Sequence, residues 1–141
     1  MPLTVLVVDD SPTMRGMLRT ALGRGGYQVV EATNGAEALG QLDGTPIDAI
    51  LTDINMPRMD GLTFVRTLRQ DARFARTPVL VLTTESAGEV KRAGKAAGAT
   101  GWIVKPFEPE QLCSLISMVI RRTAQPGRQT GVPGPGTGQE P

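Results

Sequence analysis

Apolar and polar positions along the chain fall into two alternating rhythms. Compact runs of aliphatic and β-branched residues read as five strands: Leu3 to Val8, Gln28 to Glu31, Ile47 to Thr52, Val79 to Thr83 and Gly101 to Val104. Between them, apolar residues recur every three or four positions. Met14, Met17, Leu18, Ala21 and Leu22 share one helix face, and Leu112, Leu115, Ile116, Val119 and Ile120 repeat that spacing. Three more helices are predicted over Gly35 to Leu42, Leu62 to Arg69 and Ser86 to Ala97, with glycines at 25, 26, 44, 98 and 101 marking turns. Five strands alternating with five helices, with no internal repeat, predict an α/β protein whose parallel sheet is covered on both faces. In such folds ligands sit at the carboxyl ends of the strands, near the point where strand order reverses.

Composition narrows the chemistry. The 141 residues include 15 basic and 14 acidic side chains, for a formal charge of +1. That balance argues against direct DNA binding held by bulk charge. Histidine is absent and Cys113 is the lone cysteine, which excludes a Ser-His-Asp triad, a His-ligated zinc and an internal disulfide. No apolar run approaches the roughly 20 residues needed to cross a bilayer, and the start lacks the basic region of a secretory signal. A soluble, reduced, cytoplasmic protein is expected. Arg122 to Pro141 holds four prolines and five glycines, so a folded unit over 1–121 followed by a flexible tail over 122–141 is predicted.

The strand ends carry the unusual residues. The first ends in Asp9-Asp10, the third in Thr52-Asp53, the fourth in Thr83-Thr84 and the fifth in Val104-Lys105-Pro106. Taken singly, each has an ordinary structural role: a turn aspartate before Ser11-Pro12, a helix-capping threonine, a solvated lysine. Together, on parallel strands in rough register, they bring three carboxylates, a hydroxyl and an ammonium to one edge. Such crowded carboxylates repel, and Lys105 or a divalent cation would neutralise them. Hard oxygen donors favour Mg²⁺, with Mn²⁺ as a substitute. An aspartate so placed can attack phosphorus and form an acyl phosphate, with Mg²⁺, Lys105 and Thr83 sharing the phosphoryl oxygens.

Four segments carry a family resemblance. Val5-Leu6-Val7-Val8-Asp9-Asp10, Thr52-Asp53-Ile54-Asn55-Met56-Pro57-Arg58-Met59-Asp60-Gly61, Val81-Leu82-Thr83-Thr84 and Val104-Lys105-Pro106-Phe107 resemble the motifs of a response-regulator receiver domain of the single-domain, CheY-like chemotaxis type. The resemblance spans roughly residues 3–121. It implies a flavodoxin-like doubly wound sheet of order 2-1-3-4-5. It implies Asp53 as phosphoacceptor from a sensor histidine kinase, and Mg²⁺ held by Asp9, Asp10, Asp53 and the backbone carbonyl of Asn55. Thr83 and Lys105 are implied as the groups that bind the phosphoryl oxygens, and the Lys105-Pro106 bond as cis. Thr83 and Trp102 are the implied switch pair, Trp102 standing where the chemotaxis proteins usually carry Tyr or Phe. Asn55 and Glu85 flank the implied path of the hydrolytic water and tune phosphoryl lifetime. Met56-Pro57 and Asp60-Gly61 fit a tight loop, with Gly61 supplying turn freedom.

A chain of one domain plus a tail is expected to act through surface contacts, with a flagellar switch protein as the leading target. A phosphorelay intermediate, passing phosphate to a histidine phosphotransfer protein, is the alternative. Lys91, Arg92 and Lys95 form a basic helix face, read either as solvated or as part of a docking surface. Cys113 is expected near the core without a redox role. An aspartyl-phosphate phosphatase of the haloacid-dehalogenase kind fits less well, because Asn55 stands where its acid/base aspartate would. A nucleotide site lacks its phosphate loop, since Gly94-Lys95 is followed by Ala96 and Asp9-Asp10-Ser11-Pro12 occupies the first turn.

Overall fold

A computed structural model of the chain describes residues 3–54, 56, 59–84 and 88–123, with side chains left undescribed over 88–91. Strands and helices alternate: β1 (Thr4–Val8), α1 (Pro12–Arg24), β2 (Gln28–Ala32), α2 (Gly35–Leu42), β3 (Ala49–Asp53), α3 (Gly61–Arg69), β4 (Val79–Thr83), α4 (Gly88–Ala97), β5 (Gly101–Val104) and α5 (Pro109–Thr123). All strand pairs are parallel, in the order β2-β1-β3-β4-β5. This is the doubly wound, flavodoxin-like sheet expected from the sequence. The chain steps from β1 to β2 on one side, then to β3, β4 and β5 on the other, so strand order reverses between β1 and β3.

The period-2 alternation of β1 divides the core in two. Val5 and Val7 pack with Leu18, Leu22, Leu112 and Ile116 under α1 and α5, whereas Leu6 and Val8 pack with Ala38, Phe64, Val65 and Leu68 under α2 and α3. All five residues of β3 and of β4 are buried, the mark of central strands covered on both faces. Burying each Leu or Phe of this kind contributes about 1.5–3 kcal/mol before entropy is counted.

Helix starts follow local capping chemistry. Ser11 caps α1, its Oγ accepting the Met14 amide at 3.1 Å, with Pro12 in the first turn. Asn34 caps α2 and Asp60 caps α3 by the same bond to the residue three positions on.

The third strand departs from its expected span of Ile47 to Thr52. Asp48 exchanges bonds with Thr4, its amide donating to the Thr4 carbonyl and its carboxylate accepting the Thr4 amide at 2.8 Å, and the ladder starts at Ala49. Ile47 is apolar because it packs on the core from the preceding loop. At the other end Asp53 still pairs with Leu82, so the aspartate belongs to the strand. A 3₁₀ turn at Ala72–Phe74, capped by Asp71, has no counterpart in the sequence reading. The fifth helix runs to Thr123, and residues 124–141 of the expected tail lie outside the described residues.

Candidate functional site

Register builds the site. β1 pairs with β3 through Val8 and Thr52, so the next position on each strand sets Asp9 beside Asp53. Both continue the rows of Val5-Val7 and Leu51, and their side chains share one face of the sheet. Thr83 closes β4 opposite Val104 of β5, and the Lys105 amide donates to the Thr83 carbonyl at 2.8 Å. The Lys105-Pro106 peptide bond is cis, as the sequence resemblance implied. Asp9, Asp53, Thr83 and Lys105 therefore come together at the switch point, with Asp10 exposed at its rim.

Asp9 is fully buried. Its Oδ1 accepts the Ser11 amide at 2.9 Å. Its Oδ2 is the one buried side-chain polar atom without a hydrogen-bond partner among the described residues. Burial pushes the Asp9 carboxyl above its usual range, and the charges of Asp53 and Asp10 add to that rise. The Ser11 amide and Lys105 oppose it. The Oδ1 of Asp53 accepts the Ile54 amide at 2.9 Å and lies 3.4 Å from Lys105 Nζ. The lysine contact is long for a hydrogen bond, so it acts chiefly as charge compensation.

One carboxylate oxygen from each of Asp9, Asp10 and Asp53 lies within 4.8 Å of the other two. An unpartnered buried oxygen inside an all-oxygen donor set is what a hard divalent cation satisfies. The residues fit Mg²⁺ or Mn²⁺, with Lys105 offsetting part of the remaining charge.

Gly61 has a different role from the turn freedom expected of it. It is the first residue of α3, its amide donates to the Ile54 carbonyl at 2.8 Å, and a Cβ there would stand 2.1 Å from the Asp53 carbonyl oxygen. The position excludes a side chain because the helix start rests on the phosphoacceptor candidate's own backbone.

Trp102 is half-buried on β5, paired with Val81 and alternating with core-facing Ile103, so it lies on the opposite face from α5. Arg92 and Lys95 are exposed on α4, and the Lys91 side chain lies outside the described residues. Asn55 and Glu85, expected to tune phosphoryl lifetime, also lie outside the described residues. Cys113 is half-buried on α5, its Sγ donating to the Ala21 carbonyl at 3.4 Å, and burial pushes the thiol's pKa up, away from the reactive thiolate. Sequence reasoning missed Arg15 and Glu31. Arg15 Nη1 donates to the Asp9 carbonyl at 2.7 Å, and Glu31 holds the same guanidinium from β2. They stand 16 residues apart, and no local pattern joins them.

Known proteins resemble this chain in sequence and in fold. The sequence model of the response regulator receiver domain matches residues 5–117. Chemotaxis protein CheY1 of Helicobacter pylori is 41% identical over 120 residues, covering 84% of this chain and 97% of the relative. Response regulator MprA of a Mycobacterium is 40% identical over 124 residues, 88% of this chain but 53% of the relative. Among solved structures, chemotaxis response regulator CheY4 of Vibrio cholerae aligns with a TM-score of 0.80 and 44% identity, over 84% of this chain and 99% of the other. Among the described residues, no helix is long and apolar enough to cross a membrane.

Proposed function

This chain belongs to the response regulator receiver domain family, and from that premise we propose that it is a cytoplasmic chemotaxis regulator switched by phosphorylation of Asp53. The observation that carries the proposal is the pairing of Asp53, held by Lys105 and the Ile54 amide, with the unpartnered Oδ2 of buried Asp9. A carboxylate anchored by one backbone amide and faced by a lysine, beside a cation-hungry neighbour, suits phosphoryl acceptance rather than structural pairing.

Asp53 attacks the phosphorus of a phosphohistidine on a sensor kinase. The P–O bond forms, the P–N bond breaks, and its electron pair returns to the imidazole, which takes up a proton. Lys105 and Thr83 bind the transferred phosphoryl oxygens. Asp9, Asp10 and Asp53 would hold Mg²⁺, with the Asn55 carbonyl as the further donor the resemblance implies, and the ion would damp the charge between nucleophile and phosphoryl group. Water later attacks the phosphorus and releases phosphate, restoring the Asp53 carboxylate. Asn55 and Glu85 set how fast this happens.

The switch is Thr83, whose hydroxyl follows the phosphoryl group, coupled to the half-buried Trp102. A larger indole in this role keeps a polar N–H that needs a partner in either position. The face formed by α4, β5 and α5, with Arg92 and Lys95 on it, is the surface that changes. The likeness to CheY1 and CheY4, both chemotaxis proteins by name, supports a chemotaxis role, with a flagellar switch protein as the target proposed for it.

Acetyl phosphate with Mg²⁺ is expected to add one labile phosphoryl group by intact mass. The addition disappears in Asp53→Asn or with EDTA, and quenches or shifts the fluorescence of Trp102, the only tryptophan. Undiminished labelling of Asp53→Asn would overturn the assignment. Phosphorylated chain binding a flagellar switch peptide no better than unphosphorylated chain would remove the chemotaxis role.

A further inference from the structure

Asp9 follows the last residue of β1, where the ladder with β3 has ended, yet its main chain is held on both sides. Its amide donates to the Ala32 carbonyl of β2 at 3.1 Å. Its carbonyl accepts Arg15 Nη1 from α1 at 2.7 Å. Arg15 Nε pairs with Glu31 of β2 at 3.2 Å, and Glu31 is gripped in turn by Arg19. Arg15 and Glu31 are shielded, with side chains 17% and 27% exposed, whereas Arg19 is 57% exposed. With Ser11 on Oδ1, every polar atom of Asp9 except Oδ2 has a partner on β2, in α1 or at its cap.

We propose that the Arg15–Glu31 pair is a positioning clamp on the turn between β1 and α1, and that it sets the affinity of the acidic pocket for a divalent cation. The proposal rests on reading that pocket as a cation site. Arg15 touches no carboxylate of the pocket; it acts through the Asp9 carbonyl, and the charges acting on the Asp9 carboxyl are those of Asp53, Lys105 and Asp10.

Charge and position predict opposite signs, which makes the clamp testable. A guanidinium near three carboxylates opposes a cation, so a purely electrostatic role requires tighter Mg²⁺ binding when Arg15 is neutralised. A positioning role requires weaker binding. Partners that orient metal ligands commonly change affinity by about 10- to 100-fold, and a partner acting through a main-chain carbonyl belongs at the lower end, about 10-fold.

The experiment titrates Mg²⁺ into the full chain by calorimetry, with thermal midpoints recorded in EDTA. Arg15→Met is expected to bind about 10-fold more weakly than the unaltered chain. Glu31→Gln, which leaves the Arg15 charge in place, shifts in the same direction by less. Arg15→Lys keeps the charge and one donor and recovers part of the loss. In EDTA, the Ser11 amide exchanges hydrogen faster in Arg15→Met. Equal or tighter binding by Arg15→Met overturns the clamp while leaving the cation site intact, as does a lowered midpoint with unchanged affinity. Absence of Mg²⁺ binding by the unaltered chain overturns both. If Arg15→Met does not fold, Glu31→Gln decides, and unchanged affinity there overturns the clamp.

Discussion

The two ends of β3 hold the same side chain in opposite circumstances. At the amino end, Asp43, Asp48 and Asp71 gather near the entries to β3 and β4, and each is matched. Asp48 accepts the Thr4 amide, and Arg73 reaches both Asp43 and Asp71 while stacking over the Phe74 ring. At the carboxyl end, Asp9, Asp10 and Asp53 gather with one lysine between them, and a buried oxygen is left over. The amino-end pairs lie in solvent, where such contacts contribute little. At the carboxyl end Asp9 and Asp53 are buried, where an unmatched charge is expensive. Acidity alone therefore does not distinguish a site from a surface; incomplete satisfaction in a buried place does.

The contrast extends to tolerance, and the largest expected effect lies there. Gly61→Ala forces a methyl into the Asp53 backbone and is expected to destabilise the chain by about 3 kcal/mol in urea denaturation. Gly44→Ala, in open space at the amino end, is expected to change stability by less than about 0.5 kcal/mol. Equal midpoints for the two variants would break the comparison.

Next comes Asp9→Asn. With the buried charge removed, the metal-free variant is expected to be more stable than the parent at neutral pH by about 2 kcal/mol. At 100 times its Kd, Mg²⁺ should stabilise the parent by about 2.7 kcal/mol and leave the variant unmoved. A variant less stable than its parent in EDTA would show that the Asp9 charge is already compensated.

The pH dependences should have opposite signs. Asp9 is raised in the folded state, so its contribution is fully present below its unfolded value of 3.8 and is lost as pH climbs through the raised folded value. In EDTA, the advantage of Asp9→Asn over the parent should therefore shrink as pH falls and vanish at the acid end. Asp71 is lowered by its bonds from Arg73, so its contribution is present above 3.8 and lost as pH falls through the folded value. The smallest effect is expected from Asp71→Asn: a slight midpoint loss at neutral pH, fading in acid, with Mg²⁺ response intact. A changed Mg²⁺ response in that variant would join the two ends.

Much of this was legible before any coordinates. Parallel strands with crossover helices bring all carboxyl ends to one edge, so Asp9, Asp53, Thr83 and Lys105 could be placed together from their positions alone. What escaped depended on contacts between distant segments. Ile47 looked like strand because apolar residues in a tight loop also seek the core. The role of Gly61 was misread because a glycine near a turn suggests torsional freedom, whereas here the constraint is another segment's carbonyl. Arg15 and Glu31 look like ordinary helix and edge-strand charges until β2 is laid beside α1.

The unpartnered oxygen of Asp9 has a consequence for the chain's survival in the cell. On the proposed reading of that pocket as a cation site, the chain is loosest when magnesium is scarce. Proteases select loosened molecules, so on that reading the abundance of the chain should rise with the magnesium supply.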